Sequence, residues 1–179
     1  AAIHLGKAYK LIPELVKSTK RDRIELDIIT AMGIAHAGTG GISGENTGKI
    51  YDKARQLCMS LDYPIEIFTI LAGAGSFHFI RSNYKKSREI AAHSIQLAIE
   101  KSNPTGEIIG NRILGAVQFV TGEFFPAIKS LETAISIYDK DPTHRRSNAL
   151  AYALDHKTTA LCYLALINLT IGNLESALE

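Results

Sequence analysis

Residues 114 to 138 read LGAVQFVTGEFFPAIKSLETAISIY, and the same pattern recurs along the chain. Ala127, Leu131 and Ala134 follow one another at steps of four and three, the spacing that keeps one face of a helix apolar. Shifting back forty residues superposes AGSFHFIRSNYKKSREIAAHS, with Gly75 under Gly115, Ser82 under Gly122, Tyr84 under Phe124 and Ala91 under Leu131. Shifting forward fifty superposes LALINLTIGNLESAL, with Ala165, Gly172, Leu174 and Ala177 in the corresponding places. At the other end Ala1, Leu5 and Ala8 repeat the Ala127, Leu131, Ala134 spacing, and Gly33 corresponds to Gly75 and Gly115. One helical hairpin cannot cover its own apolar face, so each must lean on the next. The periodicity therefore predicts an all-α chain with helices over about 2–18, 22–38, 46–61, 64–81, 84–102, 105–121, 124–139 and 150–171, and a stub from 174. Grouped in pairs they form a half unit at 1–18, units at about 22–61, 64–102 and 105–139, and an incomplete one at 150–179, so the 1–179 chain is read as one domain cut within a unit at both ends.

The 114–138 stretch resembles a tetratricopeptide repeat (TPR) unit, with Leu114-Gly115 where two helices approach, Gly122 at the turn, Phe124 after it, and Ala127, Leu131 and Ala134 on the second helix. That resemblance implies a TPR-like right-handed superhelical solenoid of antiparallel helix pairs, the first helix of each pair on the concave side. A narrower resemblance covers residues 143 to 179. The arginine pair Arg145 and Arg146, Asp155, the apolar run Ala160 to Leu169, then Gly172, Leu174, Ala177 and Leu178 are similar to the C-terminal helical repeats of large bacterial regulators. Those proteins join a winged-helix domain or a nucleotide cyclase to a STAND-type ATPase. Trp is absent, and the place where TPR units often carry it holds Leu71, Asn111 and Leu161, which departs from peptide-clamping co-chaperone domains.

The glycine-rich run GTGGISGENTGK, 38 to 49, invites a nucleotide reading. A P-loop needs glycine five residues before its Gly-Lys pair and Ser or Thr after the lysine. Ser43 and Ile50 stand there instead, and Ser43 also occupies the third glycine position of a dinucleotide fingerprint. Before the run, Ile24, Ile28, Ala31 and Ala35 form a helical stripe and not a strand, so GTGGISGEN is read as an enlarged turn.

Composition narrows function further. Of the 179 residues, 46% are hydrophobic and 21% charged, which excludes a disordered chain. The net charge of +2, from 20 basic and 18 acidic side chains, gives no nucleic-acid footprint. The basic cluster KSTKRDR at 17 to 23 is read as a solvated helix end, where a C-terminal dipole favours cations. The uncharged stretch Thr158 to Asn173 falls short of the roughly 20 apolar residues of a membrane helix, and the first residues lack a signal-peptide layout, so a cytoplasmic location is expected. Cys58 and Cys162 stand too far apart for a metal pair and are read as buried thiols.

The repeat register places Asp27, Thr69, Ser76, Phe79, Arg112, Phe119 and Thr159 on the concave face. Arg112 has two readings: a guanidinium that anchors a carboxylate or phosphate, or a salt bridge to Glu107 or Asp155. His36, His78, Gln118 and Asn168 form a polar row at one position of four first helices, either lining a groove or bonding locally. A shared zinc for His36 and His78 is excluded by neighbouring helices about 10 Å apart. No nucleophile elbow, HExxH or CxxC is present, and no cofactor is expected. The expected function is non-enzymatic binding of a protein, peptide or small effector within a bacterial signalling protein; alternatives are a scaffold that self-associates as a homodimer through terminal helices, and the equivalent region of a cyclase.

Overall fold

A computed structural model of the chain describes residues 2–37, 45–62, 66–141 and 155–178. Among them every regular element is helical. These are α1 (Ala2–Leu11), a 3-10 turn (Ile12–Glu14), α2 (Thr19–Ala37), α3 (Glu45–Ser60), α4 (Ile67–Ile80), α5 (Tyr84–Glu100), α6 (Pro104–Val120), α7 (Phe124–Asp139), α8 (His156–Thr170) and α9 (Leu174–Leu178).

The helix ends repeat more strictly than the sequence does. Asp62, Ser82, Ser102 and Gly122 all take positive φ, at intervals of twenty residues, and Gly172 does so fifty residues after Gly122. Each sits just beyond a helix, in the left-handed conformation that closes a Schellman motif. The amides of Asn83, Asn103, Glu123 and Asn173 donate back to the carbonyls of His78, Ala98, Gln118 and Asn168, each at 2.8 Å. The side chain of Asn83 then accepts from the Lys86 amide at 3.3 Å, and that of Asn103 from Gly106 at 2.9 Å. Each asparagine thus closes one helix with its N–H and caps the next with its oxygen. Pro104, at the first position of α6, loses no hydrogen bond there.

Every helix packs on its sequence neighbour, and α2 with α4, α4 with α6, and α6 with α8 also meet. α6 is enclosed on several sides. Gly110 lies against α5, where an added Cβ would fall 2.9 Å from the Ala91 carbonyl oxygen. Gly115 lies against α7, where it would fall 2.6 Å from Leu131 and 3.2 Å from the Ala127 oxygen. One buried cluster joins Leu26 and Ile29 through Leu71, Ala91 and Ile113 to Val117, and a second joins Ala127, Leu131, Ala160 and Ile167. Buried serines stitch the hairpins: Ser87 Oγ donates to the Gly75 carbonyl at 2.9 Å and Ser94 Oγ to the Gly106 carbonyl at 3.0 Å.

Several sequence boundaries move. The first helix stops at Leu11 instead of running to 18, because Pro13 disfavours α conformation before it and cannot donate a hydrogen bond. The 17–23 cluster is not a helix C-terminus: Lys20, Arg21 and Arg23 lie in the first turns of α2. The Arg21 charge is held by Asp22 and Glu25, and that of Arg23 by Asp27 and, across to the start of α4, Glu66. The last long helix begins at His156 and not at 150, since Asp155 is extended and its Oδ1 caps the Thr158 amide at 2.7 Å. Glu45 and Asn46 belong to α3, so the enlarged turn expected at 38–46 ends earlier; residues 38–44, and Pro64 with its expected helix start, lie outside the described residues. Cys58 is buried, whereas Cys162 is exposed, contrary to the expected pair of buried thiols.

Candidate functional site

The three helices α4, α6 and α8 bring a set of rings to one place. Phe79 near the end of α4 and Phe119 near the end of α6 both face Tyr163 in the middle of α8, with ring centroids 6.3 and 6.0 Å away and edge-on geometry. Such T-shaped contacts place the positive edge of one ring on the negative face of another. Phe79 also meets Tyr84, and Phe119 meets Phe124, across the following turns. All five rings are half-buried, neither sealed in the core nor fully solvated.

Arg112 lies two turns before Phe119 on α6, hence on the same side of that helix. It is 7% exposed, and its Nε is sealed from solvent with no hydrogen-bond partner. Among the described residues no carboxylate stands within ion-pair distance of the guanidinium. Neither partner named from the sequence pairs with it. Asp155 instead caps α8 and accepts the Tyr138 hydroxyl at 2.6 Å, and the Glu107 carbonyl takes the Asn111 amide at 2.9 Å while its side chain lines a separate cleft beside Lys129 and Lys140. Burial lowers the Arg112 pKa to about 10, with the Tyr163 hydroxyl acting in the opposite direction, so the group stays cationic at neutral pH.

His156 opens α8 and is 1% exposed. Burial, reinforced by the Arg112 charge, pushes its pKa down to about 3, so the imidazole is neutral at pH 7. Burial likewise raises the Tyr163 hydroxyl, with Arg112 pulling it back. One permanent cation thus sits among two neutral polar groups and a row of rings.

The other sequence-selected positions are scattered. Asp27 is exposed on α2 in an i,i+4 pair with Arg23 at 3.4 Å. Thr69 and Ser76 are half-buried on α4, along the stripe that leads to Phe79. Thr159 Oγ1 donates to the Asp155 carbonyl at 2.9 Å, inside the first turn of α8. In α4, α6 and α8 the polar row lies at the third-from-last helical position, whose carbonyl receives the closing amide of the Schellman motif. Its side chains find local partners: Gln118 Oε1 accepts the Ser130 hydroxyl at 2.8 Å, Asn168 Oδ1 accepts the Asn173 amide at 3.5 Å, and the His78 ring stands edge-on to Phe77 at 5.1 Å. His36 lies on α2, with a side chain outside the described set.

Sequence reading missed Tyr163 and His156. Tyr163 aligns fifty residues after Ile113, whose side chain is the nearest neighbour of Gly75, so its register pointed toward the adjacent unit. His156 follows Asp155, whose capping of the Thr158 amide accounts for that helix start without a buried imidazole. Among the described residues no group of three or more His, Cys, Asp or Glu side chains could hold a metal ion, and no helix is long and apolar enough to cross a membrane. No protein-family model, curated protein or solved structure matches the chain.

Proposed function

We propose that this chain is a non-enzymatic recognition module, a right-handed solenoid of TPR-like hairpins whose inner helices α2, α4, α6 and α8 present a binding face to a protein, peptide or small effector. The observation that carries this reading is the alternation of contacts, in which first helices meet first helices and gather Phe79, Arg112, Phe119 and Tyr163 from three successive units. The twenty-residue recurrence of left-handed turn residues supports it. The forty-residue step is longer than the 34 residues of a TPR unit, and the excess lies in helices of 14 to 17 residues. By its resemblance over 143–179, the module belongs to a bacterial multidomain regulator with an ATPase core, where it senses a ligand and relays binding to an output domain. ATP and DNA are then contacted by other domains. Calorimetric titration of the chain with Mg·ATP should show no binding; micromolar affinity would refute the reading.

A second reading, self-association, draws on one observation. Leu161, Leu166, Leu169 and Leu174 are all exposed along α8 and α9. Light scattering that reports a monomer at all concentrations up to about 100 μM, weak for a specific dimer, would remove it.

A further inference from the structure

The geometry points to an oxyanion subsite at Arg112, on the side of α6 that faces Tyr163 and His156, built for a single carboxylate carried on an aromatic or apolar group. This rests on the recognition reading and specifies the ligand that the module takes. Its foundation is a charge with nothing opposite it. Arg112 is buried, its Nε has no partner, and no Asp or Glu among the described residues reaches it. Residues 38–44, 63–65 and 142–154 contain no Asp or Glu, so outside the described set the acidic side chains are Glu45 and Glu179 alone. A buried cation left unpaired is costly, and a folded chain keeps one where the compensating charge comes from outside.

Charge counting selects the class of anion. His156 is neutral at pH 7 because burial and Arg112 both oppose its protonation, and Tyr163 keeps its proton. Arg112 and its two polar neighbours therefore supply one positive charge. A carboxylate neutralises it, with the planar guanidinium able to hold both oxygens by parallel hydrogen bonds. A phosphate dianion would leave a net negative charge among apolar side chains, which reverses the sign of the problem without solving it. The carrier is selected by the neighbouring rings. Phe119 and Tyr163 stand edge to face, Phe79 completes the row, and rings so arranged cover an aryl or alkyl group better than a hydrated one.

The test is calorimetric titration of the full chain at pH 7.5 with 3-phenylpropionate, its neutral amide 3-phenylpropionamide, and inorganic phosphate. One equivalent of the acid should bind with Kd on the order of 0.1–1 mM, the range open to so small a ligand, and both controls at least about tenfold more weakly. Arg112→Met should lose at least about tenfold in affinity for the acid while melting at a higher temperature than the parent without ligand, because an uncompensated charge is gone. The dipeptide Gly-Phe and its C-terminal amide distinguish the source of the carboxylate: tighter binding of the dipeptide than of the free acid assigns it to a peptide end, weaker binding to a small effector. Equal binding of acid and amide, a preference for phosphate, or unchanged affinity in Arg112→Met would overturn the subsite. So would an Arg112→Met chain that melts lower, since that result means an internal anion had held the guanidinium. None of these failures touches the recognition reading, which fails instead on nucleotide binding.

Discussion

Replacing Gly110 by Ala tests how closely α5 and α6 approach. Alanine is favoured over glycine within a helix by up to about 1 kcal/mol, so propensity alone predicts stabilisation. At Gly110 the new methyl would lie 2.5 Å from Ile95 Cγ1, 2.9 Å from the Ala91 carbonyl oxygen and 3.1 Å from the Ile95 amide nitrogen. The isoleucine side chain can turn away, but the other two atoms are α5 backbone. To restore ordinary contact the helices must separate by several tenths of an ångström, over an interface that also buries Ala98, Ile109 and Ile113. Overpacking of this kind costs about 1–3 kcal/mol, which exceeds the propensity gain. Net destabilisation of about 1–2 kcal/mol follows, or roughly 2–8 °C in melting temperature for a chain of this length. Gly6→Ala is the matched control, since nothing lies within 4 Å of its added methyl and only the propensity gain of up to about 1 kcal/mol remains. Both variants are compared with the parent by urea denaturation followed by far-ultraviolet circular dichroism. A Gly110→Ala chain as stable as Gly6→Ala would refute the close approach and the hairpin geometry built on it.

Acid should destabilise the chain through His156. Its folded pKa of about 3 lies below the ordinary 6.5, so between those values the unfolded chain binds the extra proton and stability falls as pH drops. At about 1.36 kcal/mol per pH unit the loss from pH 6.5 to pH 4 is on the order of 3 kcal/mol, and His156→Gln should flatten that part of a urea-denaturation profile; an unchanged slope would count against a buried neutral imidazole. Ser102 holds φ at 50°, where a side chain is strained, so Ser102→Gly should raise stability by about 0.5–1 kcal/mol. Gly122→Ala, at φ 81°, should lower it by about 1 kcal/mol, and thermal melts that show both changes in the same direction would contradict the shared turn geometry.

The sequence was most informative where a local rule acts within a few residues. The turn at Gly122 and the close-packed Gly115 were both legible, because each depends on neighbours along the chain. Boundaries failed where local signals competed. Lys20, Arg21 and Arg23 suggested a helix C-terminus, yet they open α2, where Arg21 and Arg23 find carboxylate partners at positions 22, 25, 27 and 66 that offset an unfavourable dipole. Within the site, Phe79, Arg112 and Phe119 followed from spacing, but their relation to Tyr163 did not. That ring reaches α4 and α6 across units, and helical spacing carries no information about which side chain crosses. The polar row shows the same limit: the position of Gln118 was evident, whereas its partner Ser130 stands across a hairpin.

Asn83 and Asn103 each belong to two helices at once, and this restricts how the molecule can change length. One residue inserted beside either would spoil a stop signal and a start signal together, with no slack to absorb the error. Removing residues 83 to 122 instead joins Ser82 directly to Glu123, a junction that matches the Gly122 to Glu123 step it replaces. Growth and shrinkage of such a chain therefore proceed by whole cassettes, and reach along the array comes in fixed increments set by the turns.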